Sequence, residues 1–228
     1  MKHRSYRGKV SYITDGVGEL GREMFYVTIQ PDGTRTMRAT CELDDDRLLR
    51  DVVATVDKDW YPLDAFVRLT SNETTAGSSW FRFTKSMAEC EAITAKEGRV
   101  HQVFDIDERV RELGTHPVHA DAWGLAQVSR NNAGPQAPSL RFSTSTQADG
   151  GSGPLLVPST GRKQRRYIGR ETIRVAAGTF EVEHFQDMFP DKPPAELWVT
   201  GEDYIPVRVQ WSYRKQTYEL TELSGDAR

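Results

Sequence analysis

Gly21-Arg22-Glu23-Met24-Phe25-Tyr26-Val27-Thr28-Ile29 is the stretch whose reading decides the fold, because the chain restates it. Its opening Gly-Arg-Glu returns at Gly169-Arg170-Glu171, at the head of GRETIRVAA (169–177). A Gly-Thr turn follows each copy, at Gly33-Thr34 and at Gly178-Thr179. An acid–aromatic–x–Pro corner follows in turn, Asp59-Trp60-Tyr61-Pro62 and then Asp203-Tyr204-Ile205-Pro206. Three matches in one order point to a duplicated strand meander. Their spacing shrinks slightly along the chain, as shortened loops would make it.

Working outward, alternation of apolar and polar residues dominates and helical periodicity is nearly absent. Met37, Ala39, Cys41 and Leu43 share one face of a strand, with Thr36, Arg38, Thr40 and Glu42 on the other. Strand-like segments with short turns run from about Tyr6 to Ile106 and again from Tyr167 to Leu223. Asn72–Gly77 reads as a loop between two of them. Between the two runs, from Asp107 to about Ser139, alternation disappears. There Pro117–Val128 predicts the one helix, with Thr115 or His116 as cap and Pro117 at its first position.

The expected organisation is a single all-β domain over 1–228. A first meander (15–106), a helix-containing insertion with linkers (107–164) and a second meander (165–223) make it up. Two sheets that each have an apolar face cover those faces most simply against one another. An antiparallel, barrel-like body does so and removes exposed edges.

The second copy also carries a family resemblance. GRETIRVAAGTFEVEHF (169–185), AELWVTGEDYIPVRVQWSY (195–213) and YELTEL (218–223) resemble the bacterial DUF3108 family. The shared pattern is a Gly-Thr-Phe turn, a later Leu-Trp, an acidic turn, Ile-Pro-Val and a closing Leu. The resemblance implies a lipocalin-like or half-barrel β fold and no particular chemistry.

Composition excludes several classes. Thirty Lys and Arg against 33 Asp and Glu leave a formal charge of −3, which offers no footprint for nucleic acid or an anionic membrane. No apolar run approaches the roughly 20 residues of a spanning helix. The N-terminal MKHRSYRGKVSYITDG lacks the apolar core of a secretory signal, so the expected compartment is the cytoplasm. Cys41 and Cys90 form no CxxC and read as buried thiols. Neither a GxSxG nucleophile motif nor a glycine-rich phosphate loop occurs, and no cofactor is expected.

Chemistry-bearing residues gather at Gly114-Thr115-His116-Pro117-Val118-His119-Ala120-Asp121-Ala122-Trp123, outside the repeat. Histidine titrates near neutrality and a carboxylate can hold its tautomer, so His116 is the candidate base and Asp121 its orienter. His119 and Trp123 stand four apart on the predicted helix and could hold a ligand ring. The same His116, His119 and Asp121 lack the HExxH spacing, and no metal is expected of them. Arg50 alternates with Leu48, Val52, Ala54 and Val56, so its guanidinium faces the interior. It needs a partner there, either a carboxylate such as Glu23 or Glu42 or a ligand oxygen. His184, in line with Phe180 and Val182, and Arg38 are further candidate ligand contacts. Arg162, Lys163, Arg165 and Arg166 read as a solvated basic hairpin tip.

The lead expectation is a barrel enclosing a small apolar or aromatic molecule. If it acts on that molecule, the chemistry within reach is cofactor-independent proton transfer by a lyase, hydratase or isomerase, with Arg50 stabilising developing negative charge. The alternatives are a non-catalytic carrier or sensor, and a solid-core structural module. Homo-oligomerisation is compatible with each.

Overall fold

In a computed structural model, which describes residues 3–137, 140–144, 153–159 and 163–228, antiparallel strands dominate. The first run comprises β1 (Arg4–Thr14), β2 (Gly18–Ile29), β3 (Arg35–Leu43), β4 (Leu48–Val56), β5 (Pro62–Ser71), β6 (Thr74–Phe83), β7 (Met87–Thr94) and β8 (Gly98–Asp105). An insertion follows, with β9 (Glu112–Gly114), helix α1 (Val118–Trp123), β10 (Arg141–Ser143) and β11 (Val157–Pro158). The second run is β12 (Gln164–Val175), β13 (Gly178–Phe189), β14 (Lys192–Thr200), β15 (Ile205–Trp211) and β16 (Gln216–Gly225).

Thirteen strands form one sheet in the order β12-β13-β14-β15-β16-β1-β2-β3-β4-β5-β6-β7-β8. The last strand therefore pairs with the first, through a register that joins Tyr6 to Gly225 and Thr14 to Gln216. The two copies of the motif run along equivalent paths. Gly33 turns β2 into β3 and Gly178 turns β12 into β13, both with positive φ. Trp60 (φ 68°) and Tyr204 (φ 52°) occupy the matching corners before β5 and β15. Their rings meet edge to face at 5.2 Å. That contact joins strands six places apart in the sheet order, so the sheet curls into a barrel-like trough and its concave face becomes the core.

The insertion fills the trough. Phe142 packs with Phe83 and Phe104. β9 and β10 pair in parallel and β11 adds antiparallel, making a small sheet of three. The predicted helix is shorter than its sequence pattern. It ends at Trp123, tightens into a 3₁₀ turn over Gly124–Gln127, and Val128 is extended. Pro117 is its N-cap and His116 lies before it, at φ 84°. Gly124 stands where the helix changes. A Cβ there would lie 2.3 Å from the Arg165 guanidinium and 3.0 Å from the Glu112 carboxyl, so a buried ion pair occupies the space a side chain would take. The expected loop at Asn72–Gly77 is instead a tight β5–β6 hairpin, with Asn72 (φ 49°) and Glu73 (φ 63°) as its two turn residues.

Candidate functional site

At the end of the trough formed by the β1–β2, β3–β4, β13–β14 and β15–β16 connections lies a cleft of about 520 Å³. His116, Asp121 and Arg50 all line it, so the three residues proposed for chemistry meet in one place. Each arrives by a different route. Arg50 opens the inward-facing series of β4 and is 2% exposed. His116 comes from the positive-φ residue between β9 and α1, and Asp121 from α1 itself. One wall is apolar, made by Phe189, Ala195, Leu197, Val209 and Trp211 from β13, β14 and β15. Tyr12 and Tyr218, edge to face at 4.7 Å, contribute from β1 and β16.

Electrostatics differ sharply among these groups. Burial raises the Asp121 carboxyl to about 6, against the pull of Lys163, Arg141 and Arg165, and Oδ1 has no hydrogen-bond partner among the described residues. Behind it sits a buried charged network. Glu112 accepts two bonds from Arg165, at 2.6 and 2.9 Å, and a third from Arg141 at 3.0 Å. Arg165 also donates to Asp187 at 2.9 Å, and Lys163 pairs with Asp187. Desolvation alone would raise Glu112, but Arg165, Arg141 and Lys163 outweigh it and hold that carboxyl at about 2. The expectation of a solvated basic tip is thereby corrected. Arg165 is 3% exposed, because it pairs with Asp187 directly opposite on β13 and with Glu112 from β9 of the insertion. Arg162 of that cluster lies outside the described residues.

Other expected contacts lie elsewhere. His119 is fully buried behind the cleft, stacked on Phe25 at 4.4 Å and hydrogen-bonded to the Tyr6 hydroxyl at 2.9 Å. Burial pushes its imidazole down to about 3, so it stays neutral at ordinary pH. Trp123 packs beside it and against Trp60, also in the core. They shape the wall behind the site and do not line the cleft. His184 does not point inward. The alternation that puts Leu197 and Val199 inside leaves their neighbour Trp198 outside, and His184 stacks on Trp198 at 4.5 Å between Glu171 and Glu196. Arg38 likewise stands on the outer face of β3, where it donates to Thr28. Neither is a cleft contact. The His116–His119–Asp121 trio is also split, with His119 engaged by Tyr6. Cys41 and Cys90 are free and buried.

Sequence reasoning missed the role of Glu23. Its carboxyl is fully buried and accepts from the Tyr12 hydroxyl (3.0 Å) and from the backbone N–H groups of Val118 (2.6 Å) and His119 (3.2 Å). A carboxylate from β2 thus caps α1 from across the trough and fixes the segment that carries His116 and Asp121. Those three bonds tie it to the helix and to Tyr12, and Glu42 is engaged by Arg22 at 2.7 Å. The legible signal was an acid on the same face as Phe25 and Val27. Burial lifts Glu23 to about 7 despite those three bonds.

No family model matches the chain, and no curated protein matches it. Among solved structures, the beta-barrel-like protein of the domain of unknown function DUF1849 from Brucella abortus superposes with a TM-score of 0.57. The match covers 98% of both chains at 12% identity. The fold is β-barrel-like. A DUF1089 family protein from Pseudomonas aeruginosa gives a TM-score of 0.47 at 7% identity over 84% of this chain and 90% of its own. The β-barrel-like architecture thus stands on DUF1849 rather than on the DUF3108 family that residues 169–223 resemble. At such identity it speaks for the scaffold alone.

Proposed function

We propose that this β-barrel-like protein binds a small molecule with an apolar or aromatic body in the end cleft. The observation that carries this reading is the cleft itself, about 520 Å³ with a continuous apolar wall from Phe189 to Trp211 facing polar groups. Small-molecule sites fall in this size range, about 300–1,000 Å³, and combine apolar walls with polar groups that fix orientation. Native mass spectrometry of the freshly purified chain tests it. The expected result is a co-purified small molecule, or uptake of an aromatic probe that perturbs Trp211 fluorescence. A bare polypeptide mass together with no probe uptake defeats it.

A second reading, catalysis, is favoured by one further observation. Asp121 titrates near 6 in the same cleft as His116, whose backbone is held at φ 84°. Non-glycine residues held at positive φ cluster at functional sites. An acid and a base of this kind suit proton transfer in a cofactor-independent lyase, hydratase or isomerase. On an identified ligand, Asp121→Asn and His116→Gln are expected to abolish turnover while binding persists. Unchanged turnover in both leaves a carrier.

A further inference from the structure

The large sheet has two end strands, β12 and β8, and they are finished differently. β12 slips register between Tyr167 and Gly169 and turns Arg165 inward onto Glu112 and Asp187. The insertion covers it there, through paired backbone bonds between Gln136 and Arg165 at 2.8 and 2.7 Å. Bulges, inward charges and covering segments are common ways to blunt a sheet edge. Among the described residues β8 has none of them. It runs beside β7 over Gly98–Asp105 without a register shift, and its inward side chains are Val100, Gln102 and Phe104. The insertion reaches β8 through side chains, with the Gln102 amide on the Leu156 backbone at 2.8 and 3.1 Å and Phe104 against Phe142.

One bond fixes which way the β8 backbone points. Ile106 N–H donates to the Ser86 carbonyl at 3.0 Å, in line with the β7–β8 ladder, and along an antiparallel strand bonded and non-bonded positions alternate. Phe104, Gln102 and Val100 therefore spend their N–H and C=O groups on β7. Those of Arg99, His101, Val103 and Asp105 point away from it. The same four side chains stand on the outer face, where Val103 is 50% exposed. A second copy of β8 laid antiparallel, with Gln102 on the two-fold axis, engages all four residues. Arg99 then faces Asp105 of the second copy and His101 faces Val103 of the second copy, each twice by symmetry. Neighbouring registers pair fewer residues of β8 and separate Arg99 from Asp105.

We propose that β8 pairs in this register with β8 of a second copy of the chain, joining two sheets edge to edge in a symmetric dimer. Main-chain bonds supply the affinity, as in other strand additions, and the opposed charges at both ends select the register. The interface is self-complementary, as a two-fold contact requires. No residue of β7 or β8 lines the end cleft, so pairing at this edge is independent of what the cleft binds.

Sedimentation equilibrium of the 228-residue chain over a dilution series tests this, and a monomer–dimer equilibrium is expected. Val103→Pro removes an N–H that points away from β7, which a sheet edge tolerates. It is expected to give a monomer with an unaltered circular dichroism spectrum. Arg99→Asp sets like charges opposite one another and should raise the dimer dissociation constant on the order of tenfold. Adding Asp105→Arg to it should restore the original value. If Val103→Pro does not fold, the charge variants still decide, since both side chains are exposed. A monomer at every concentration up to about 100 µM overturns self-pairing and leaves the edge to a strand of another protein. A dimer that survives Val103→Pro, or that Arg99→Asp leaves as tight as before, overturns it as well.

Discussion

The two ends of the trough are built to opposite purposes. At one end the matching corners of the two motif copies close on each other. Trp60 meets Tyr204 at 5.2 Å and Trp123 at 5.9 Å, and Arg35 lies 3.9 Å over the Trp60 ring. Arg4 clamps the buried Asp203 with two bonds of 3.0 Å, and the C-terminal Arg228 backbone donates to the same carboxylate. Beside Trp60 and Trp123 about 30 Å³ stays open, and beyond Tyr204 and Arg228 lies a shallow groove of about 810 Å³. At the other end the turns diverge in sequence, the walls are mixed and about 520 Å³ remains. The repeated corners therefore meet at one end, while His116 and Asp121 reach the cleft from the insertion, where the repeat has no counterpart. Glu23 links the two, since it belongs to the repeated Gly-Arg-Glu and yet caps the unrepeated helix. Its counterpart Glu171 is on the outside, accepting from Trp198.

This contrast can be broken experimentally. The largest effect is expected at the buried network behind the open end. Glu112→Ala leaves Arg165 and Arg141 without their shared carboxylate, and removing one member of a buried ionic group costs about 3–5 kcal/mol. Urea unfolding reads it. A smaller value would mean that the network relaxes toward water. Next comes the closed end, where Trp60→Ala should cost about 2–3 kcal/mol through lost packing while probe binding at the far cleft is retained. Lost probe binding would show that the two ends are not separable.

Acid should separate two buried groups of opposite sign. His119 titrates at about 3 in the fold against 6.5 when exposed. The unfolded chain therefore takes up the proton first, and stability falls as pH drops from 6.5 toward 3. Glu23 is raised from 4.5 to about 7, so its contribution is present at low pH and is lost as pH rises through that window. Thermal unfolding of Glu23→Gln across these pH values should show the second dependence removed and the first intact. A profile identical to the unaltered chain would refute the burial of that acid. The smallest effect is expected on the outer face. Arg38→Ala should stay within about 0.5 kcal/mol and leave probe binding unchanged, since that side chain is exposed.

The alternation along β3 and β4 already placed Met37, Ala39 and Cys41 inside with Arg50, and the structure keeps them there. Local pattern suffices for such strands because side-chain direction has a period of two. It fails where the ladder slips. β12 and β13 shift register between Tyr167 and Gly169, and the expectation that His184 shares the inner face with Val182 went wrong on β13. The helix was legible from Pro117 and the lost alternation, but its length was not. It tightens into a 3₁₀ turn at Gly124, where Arg165, far away in the chain, takes the space a side chain would need.

By itself, then, the amino-acid order determined an all-β chain with a restated meander and placed His116 and Asp121 in the departure from it. These are properties of neighbours a few residues apart. Tertiary structure decided which of those groups share a cleft, which are sealed in the core as His119 is, and how Arg165 became a buried cation and Lys163 a half-buried one, each paired with a carboxylate rather than solvated at a tip. The reason is physical: burial, and the charge it leaves to be compensated, depends on what arrives from across the sheet.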